Sequence, residues 1–160
     1  MRKASFVFGM LLATAIGLAA YAGTARGVPK DFHVTLQRGA CFGTCPVYRV
    51  SIASDGAVSY DGRRFVRVTG HRTRKISKKK VRQLYRAFMR ADFFALNDRY
   101  VARVTDLPTY KLSLIANRRR KTVRDYGGHR MGMPRRVTNL ERLVDETAGT
   151  KAWIKPDADN

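Results

Sequence analysis

Residues 47–60 read VYRVSIASDGAVSY and contain the clearest structural signal in this 160-residue chain. Tyr48, Val50 and Ile52 alternate with other residues at the two-residue period of a half-buried β-strand. Ser54-Asp55-Gly56 then gives a hairpin signal, and the alternation resumes beyond it. The segment therefore predicts two antiparallel strands joined by a tight turn.

Neighbouring segments extend this hairpin in both directions. Phe32, Val34 and Leu36 alternate with polar residues before it and predict a preceding strand. Asp61-Gly62 predicts a second tight turn after it, because this dipeptide tolerates the positive φ angles of hairpin turns. Phe65 to Thr69 then predicts a further strand. Together these segments predict an antiparallel β-meander of about four strands over residues 32–69.

The hydrophobic period changes beyond the meander. Ser77 is a plausible N-cap, and apolar residues then recur at helical spacing at Val81, Leu84, Tyr85 and Phe88. They predict an amphipathic helix that ends around residues 92–94, with its apolar stripe facing the sheet.

A β-hairpin and a second helix complete the predicted domain. Alternation resumes at Tyr110, Asn117 suits the positive φ of a turn, and residues 121–126 form the returning strand. Pro134 suits a first helical turn, and Gly149 suits the position just past the helix end. The order of strands, helix, hairpin and helix predicts an α+β fold with both helices on one sheet face.

The N-terminus has the pattern of a secretory signal peptide. Arg2 and Lys3 precede a charge-free, largely apolar run, and Ala20-Tyr21-Ala22 is a small-x-small cleavage signal. This predicts a periplasmic or secreted protein, with an uncleaved N-terminal membrane anchor as the alternative, because the run is nearly long enough to span a bilayer. The predicted organisation is a signal peptide (1–22), a short linker (23–31), a single domain (32–154) and a frayed tail (155–160).

Cys41 and Cys45 are the only two cysteines of the chain. In an oxidising compartment a disulfide across this Gly-containing loop is the simplest expectation, and it would contribute about 2 kcal/mol. Two alternatives stay open at this point: a redox-active thiol pair and a soft-metal site completed by a histidine. Residues after Pro46 alternate as a strand does, whereas catalytic thiolates favour helix N-termini, so redox catalysis is the less favoured interpretation. We predict no metal and no cofactor.

Positive charge is the other conspicuous feature. The 32 Lys and Arg residues against 12 Asp and Glu give a net charge of +20. Residues 63–90 contain twelve Lys or Arg and no acid. Part of this stretch falls on one face of the predicted helix, and a second cluster lies at the predicted hairpin tip. The candidate anion-binding residues are Lys78, Lys79, Arg82, Arg86, Arg90, Arg118, Arg119 and Arg120.

These observations favour an exported, non-catalytic domain that binds anionic lipid, lipopolysaccharide or another polyanion through its basic surface. No catalytic sequence motif is present, so we predict no enzymatic activity. No zinc-finger, RNA-recognition or recognition-helix pattern supports base-specific nucleic-acid binding. A small periplasmic thiol redox or soft-metal-handling protein is the alternative function, and a purely structural module with a solvated basic face is the third.

Several motifs together resemble an uncharacterised family of bacterial exported domains. They include Cys41-Phe42-Gly43-Thr44-Cys45-Pro46-Val47-Tyr48, the Thr105-Asp106-Leu107-Pro108-Thr109 segment and the strand ending Asp125-Tyr126-Gly127. The resemblance covers residues 32–154. It implies a fold unit and an exported setting but no activity, because the family is itself a domain of unknown function. The basic, Met-containing loop at residues 127–133 departs from the family pattern.

Overall fold

Seven strands form one sheet in the computed structural model, which describes residues 27–154. The predicted signal peptide, the start of the linker and the tail lie outside the described residues. The strands are β1 (His33–Arg38), β2 (Val47–Ala53), β3 (Ala57–Arg64), β4 (Gly70–Lys75), β5 (Arg99–Val101), β6 (Tyr110–Ala116) and β7 (Arg119–Tyr126). Their spatial order is β4-β3-β2-β1-β6-β7-β5, and only the β5–β7 pair is parallel.

Two α-helices pack on one face of this sheet, as the sequence predicted. They are α1 (Lys78–Arg90), whose N-cap Ser77 accepts a hydrogen bond from the Lys80 amide, and α2 (Arg135–Ala148), which ends at Gly149 in the left-handed region. Val34 and Leu36 of β1 are fully buried against helix residues such as Leu84. Within residues 27–154 no helix has the length and hydrophobicity needed to span a membrane.

The α+β class is confirmed, but the sheet is larger than the predicted four-strand meander. The β1–β4 meander is extended by β6, which pairs with β1, and by β7 and β5 beyond it. The three-residue β5 was missed because so short a strand shows no period. The predicted hairpin corresponds to β6 and β7, and both residues of its turn, Asn117 and Arg118, have positive φ.

The boundary between β3 and β4 was predicted wrongly. Asp61-Gly62 is not a turn but lies inside β3, where the ring of Tyr60 and the Val68 carbonyl occupy the space that a side chain at Gly62 would need. Phe65 to Thr69 is not a strand either, since Phe65 has a φ of 55°. The true fourth strand, β4, follows this segment.

Candidate functional site

The basic residues predicted on the first helix do form an exposed face. Val81, Leu84, Tyr85 and Phe88 are buried beneath α1, so the cations spaced three or four residues apart project outward. None of the six cations on the helix forms an ion pair with another residue in the 27–154 range: Lys78, Lys79, Lys80, Arg82, Arg86 and Arg90. All six are exposed.

The arginines of the β6–β7 turn lie beside this helix. The Asn117 side-chain amide donates to the Tyr85 hydroxyl of α1 at 3.3 Å, and the Arg119 guanidinium lies 4.1 Å from the centre of the Phe94 ring, just beyond α1. Arg118, Arg119 and Arg120 are exposed. The two predicted clusters are therefore neighbours, and we call the six α1 cations together with these three arginines the basic helix–hairpin surface.

Asp31 borders the basic helix–hairpin surface and has a structural task. The Asp31 carboxylate accepts the backbone N–H groups of Asn117 at 3.0 Å and Arg118 at 2.6 Å, which fixes the turn. These bonds, the Arg118 amide foremost, hold the pKa of Asp31 below its usual value. Asp31 therefore stays ionised and offsets one positive charge of this surface.

Other cations of the basic 63–90 stretch are engaged in the fold. Arg67 donates to the Ala152 carbonyl at 2.5 Å, and the Arg74 guanidinium lies 4.1 Å from the centre of the Trp153 ring. Lys75 pairs with Asp55 at 2.7 Å. The uninterrupted run of charge in the sequence thus includes cations that are engaged in the fold and a part, on α1, that is unpaired.

Cys41 and Cys45 form a disulfide, with their Cα atoms 5.7 Å apart. Its loop joins β1 to β2 and is anchored to the 102–109 loop by the Phe42 amide, which donates to the Asp106 carbonyl at 3.2 Å. The Phe42 side chain is exposed. Cys45 is followed by Pro46 and β2, so neither sulfur sits at a helix N-terminus, the position that lowers a thiol pKa.

The histidines considered as metal ligands are dispersed. His33 lies at the start of β1, whereas the cysteine loop follows the end of that strand, and His71 lies on the edge strand β4. His129 lies in the 3-10 turn Gly128–Met131. Over residues 27–154, no three His, Cys, Asp or Glu side chains are grouped as metal ligands would be.

A polar cluster between β1, β2 and α2 was not anticipated. Arg38 donates from two nitrogens to one carboxylate oxygen of Asp145, at 2.9 and 2.7 Å. The other oxygen accepts from the hydroxyls of Tyr48 at 2.7 Å and Thr150 at 3.0 Å. Arg38 and Tyr48 flank the cysteine loop in sequence, so this carboxylate clamp ties both ends of the loop to α2.

Glu141, one turn before Asp145 on α2, is a second unanticipated residue. It is only 2% exposed. Burial, and next the negative charge of Asp125, raise the pKa of Glu141 to about 8. The side chain therefore carries a proton at neutral pH. Helical spacing places residue 141 among the apolar positions 137, 140, 144 and 148, which is the one sequence signal that could have revealed its burial.

Comparison with known families gives one result. The family model described as "Domain of unknown function (DUF6438)" matches residues 32–148, which include every strand and both α-helices. A search of curated proteins found no match. The match covers most of the chain and agrees with the resemblance inferred from its motifs, so the chain belongs to the DUF6438 family of domains of unknown function.

Proposed function

We propose that this protein is an exported, non-catalytic domain that binds phosphate-bearing components of the cell envelope through the basic helix–hairpin surface. The observation that carries the proposal is the set of six exposed α1 cations, none of which pairs with an acid among residues 27–154. Phosphate groups of lipids or lipopolysaccharide are the complementary ligands.

The placement of these cations is unfavourable for folding. Lys78, Lys79 and Lys80 occupy the first turn of α1, which contains no acid. The positive end of the helix dipole disfavours each of them by up to ~1 kcal/mol. A ligand bearing negative charge would reverse that penalty, because anions are stabilised at a helix N-terminus.

The geometry also defines the kind of binding. The apolar residues of α1 are buried in the core, so the helix has no apolar face to insert into a bilayer. Attachment would be peripheral and electrostatic, and would weaken steeply as salt screens the charges. This distinguishes it from an amphipathic membrane-binding helix.

Vesicle binding tests this proposal. The measurement is co-sedimentation with phosphatidylglycerol-containing and with pure phosphatidylcholine vesicles, at about 0.05 M and about 0.5 M salt. We expect binding only to the anionic vesicles and only at low salt. Inorganic polyphosphate as competitor separates the two sources of phosphate: displacement at low concentration indicates that a free polyphosphate suffices.

A triple variant locates the binding surface. Arg82→Ala/Arg86→Ala/Arg90→Ala should weaken vesicle binding by about 100-fold, since each basic residue near an anionic surface contributes about 1 kcal/mol. The matched control is Arg103→Ala/Arg130→Ala/Arg136→Ala, which removes the same charge from exposed positions around the opposite end of the sheet. Equal losses in both variants, or equal affinity for neutral vesicles, would contradict the proposal.

A further inference from the structure

Six strands each contribute one serine or threonine to a straight row across the sheet. Each member lies directly opposite the next in the strand register, so the row crosses the strands at right angles. With strands about 4.8 Å apart, the five intervals span about 24 Å. We call this feature the hydroxyl row, and in spatial order it consists of Thr73, Ser59, Ser51, Thr35, Ser113 and Thr122.

The hydroxyl row lies on the face of the sheet opposite the helices. Thr35 alternates with Val34 and Leu36, which are buried on the helix side. Thr35 itself is 8% exposed, and no buried side-chain oxygen of the described residues lacks a hydrogen-bond partner, so an unbonded Thr35 hydroxyl is open to solvent. Ser113 and Thr122 share a hydrogen bond of 2.9 Å. Hydroxyls that reach solvent along the row are available to exchange hydrogen bonds with a polar ligand.

A second row lies parallel to the hydroxyl row, displaced from it by two residues on each strand, and carries positive charge. Arg49, Gln37, Lys111 and Arg124 are opposite one another on β2, β1, β6 and β7, and Arg99 extends them onto β5. The four cations are exposed and form no ion pair with any residue of the described range. The acid of this row, Asp61, contacts Arg63 at 3.2 Å.

On β5, β6 and β7 this arrangement does not help the sheet to form, whereas Arg49 on β2 lies opposite Asp61 of β3. Lys111 and Arg124 are directly opposed, and so are Arg99 and Arg124. Like charges in opposed positions destabilise a strand pair. His33, on the other side of the hydroxyl row, has its pKa lowered by burial and then by the Arg49 charge, so it stays neutral at pH 7. A ligand that brings negative charge would relieve this repulsion.

We propose that the open sheet face binds a linear anionic polysaccharide lying across the strands. Sugar hydroxyls would exchange hydrogen bonds with the hydroxyl row, while carboxylate or sulfate groups would contact Arg49, Lys111 and Arg124. The 24 Å length of the row, about five strand spacings, accommodates several sugar units. This site uses none of the residues of the basic helix–hairpin surface, although Arg120, two residues before Thr122 on β7, lies on the same face of the sheet.

The composition of the two rows favours a polysaccharide over other polyanions. Neither row contains an aromatic residue, whereas single-stranded nucleic acids are bound largely by stacking bases on aromatic side chains. Neither row offers a large exposed apolar side chain for insertion into a bilayer. Regularly spaced hydroxyls next to cations match a polymer that carries both hydroxyl and acidic groups along its length.

Binding of a fluorescently labelled polygalacturonate oligomer tests the proposal. Arg49→Ala/Lys111→Ala/Arg124→Ala should weaken it by about tenfold or more, because charge-assisted contacts are lost. Thr35→Val/Ser113→Ala, which leaves the charge unchanged, should weaken it about threefold to fivefold. The control Arg82→Ala/Arg86→Ala/Arg90→Ala, which removes the same charge from the exposed face of α1, should bind as the wild type does. Unfolding midpoints of all variants establish that the fold is intact.

Three results would overturn the assignment. The first is an equal loss in the control variant, which would indicate attraction by net charge alone. The second is unchanged affinity in a folded Thr35→Val/Ser113→Ala variant. The third is tighter binding of a single-stranded oligonucleotide of the same charge. None of these results bears on vesicle binding by the basic helix–hairpin surface, so the two proposals fail independently.

Discussion

Arg38 and Arg49 lie on neighbouring strands, project to opposite faces of the sheet and have different roles. Arg38 projects to the helix side, where its guanidinium is largely buried and donates twice to Asp145. Arg49 projects to the open side, is exposed, and forms no ion pair in the described part of the chain, although Asp61 lies opposite it on β3. The same residue type is thus a structural element on one face and a free cation on the other. Positive charge in this chain therefore has to be assigned to one face of the sheet or the other before it is given a role.

Removing the carboxylate of the clamp should destabilise the fold by leaving Arg38 without its counter-ion. Asp145→Ala should lower the free energy of unfolding by about 4 kcal/mol, because it leaves Arg38 partly buried without its counter-ion and removes the acceptor of Tyr48. Urea denaturation measures this. Glu146→Ala, which breaks the exposed pair with Arg142, is the control and should change the free energy of unfolding by less than about 0.5 kcal/mol. A loss below about 1 kcal/mol in Asp145→Ala would show that the clamp is not a structural element.

The buried Glu141 should make the stability of the fold depend on pH. Its pKa is about 8 in the folded protein and near 4.5 when unfolded, so the folded state holds the extra proton between these values. Stability should therefore fall as pH rises through this window, by up to about 1.4 kcal/mol per pH unit, the slope for one proton.

Glu141→Gln isolates this contribution. The variant should lack the decline, so that its stability relative to the wild type increases from pH 4.5 to pH 8. Urea denaturation at several pH values measures the difference. A difference that does not change with pH would mean that the Glu141 pKa is not raised.

The disulfide should have a smaller, purely structural effect. Cys41→Ser/Cys45→Ser should lower the free energy of unfolding by about 2 kcal/mol, because the bridge closes only a short loop. Polygalacturonate and vesicle binding should both be unchanged, since neither proposed surface includes the loop. A loss of either binding activity in the folded variant would instead assign the cysteine loop to a binding site.

Periodicity predicted those parts of the fold that have one buried face. The β2–β3 hairpin, α1 and the β6–β7 hairpin were recognised because apolar residues recur along them at strand or helix spacing. The edge strand β4 has no such pattern, since all six of its residues are exposed. Gly62 was misleading because it lies in β3 to make room for the Tyr60 ring rather than to form a turn.

The candidate sites likewise divide into those that the sequence predicts and those that depend on the three-dimensional fold. Helical spacing alone placed Arg82, Arg86 and Arg90 on one exposed face. The hydroxyl row could not be predicted, because Thr35 and Ser113 become neighbours only through the β1–β6 register. The Arg38–Asp145 pair, 107 residues apart in the chain, likewise depends on how α2 crosses the sheet.

Both proposals require that the position of the unpaired cations, not the total charge, determines what this domain binds. The most direct test compares two variants that each remove three positive charges, Arg82→Ala/Arg86→Ala/Arg90→Ala and Arg49→Ala/Lys111→Ala/Arg124→Ala, against both anionic vesicles and polygalacturonate at one low ionic strength. We predict that the first variant loses vesicle binding alone and the second loses polygalacturonate binding alone. Equal weakening of both variants towards both ligands would contradict the claim.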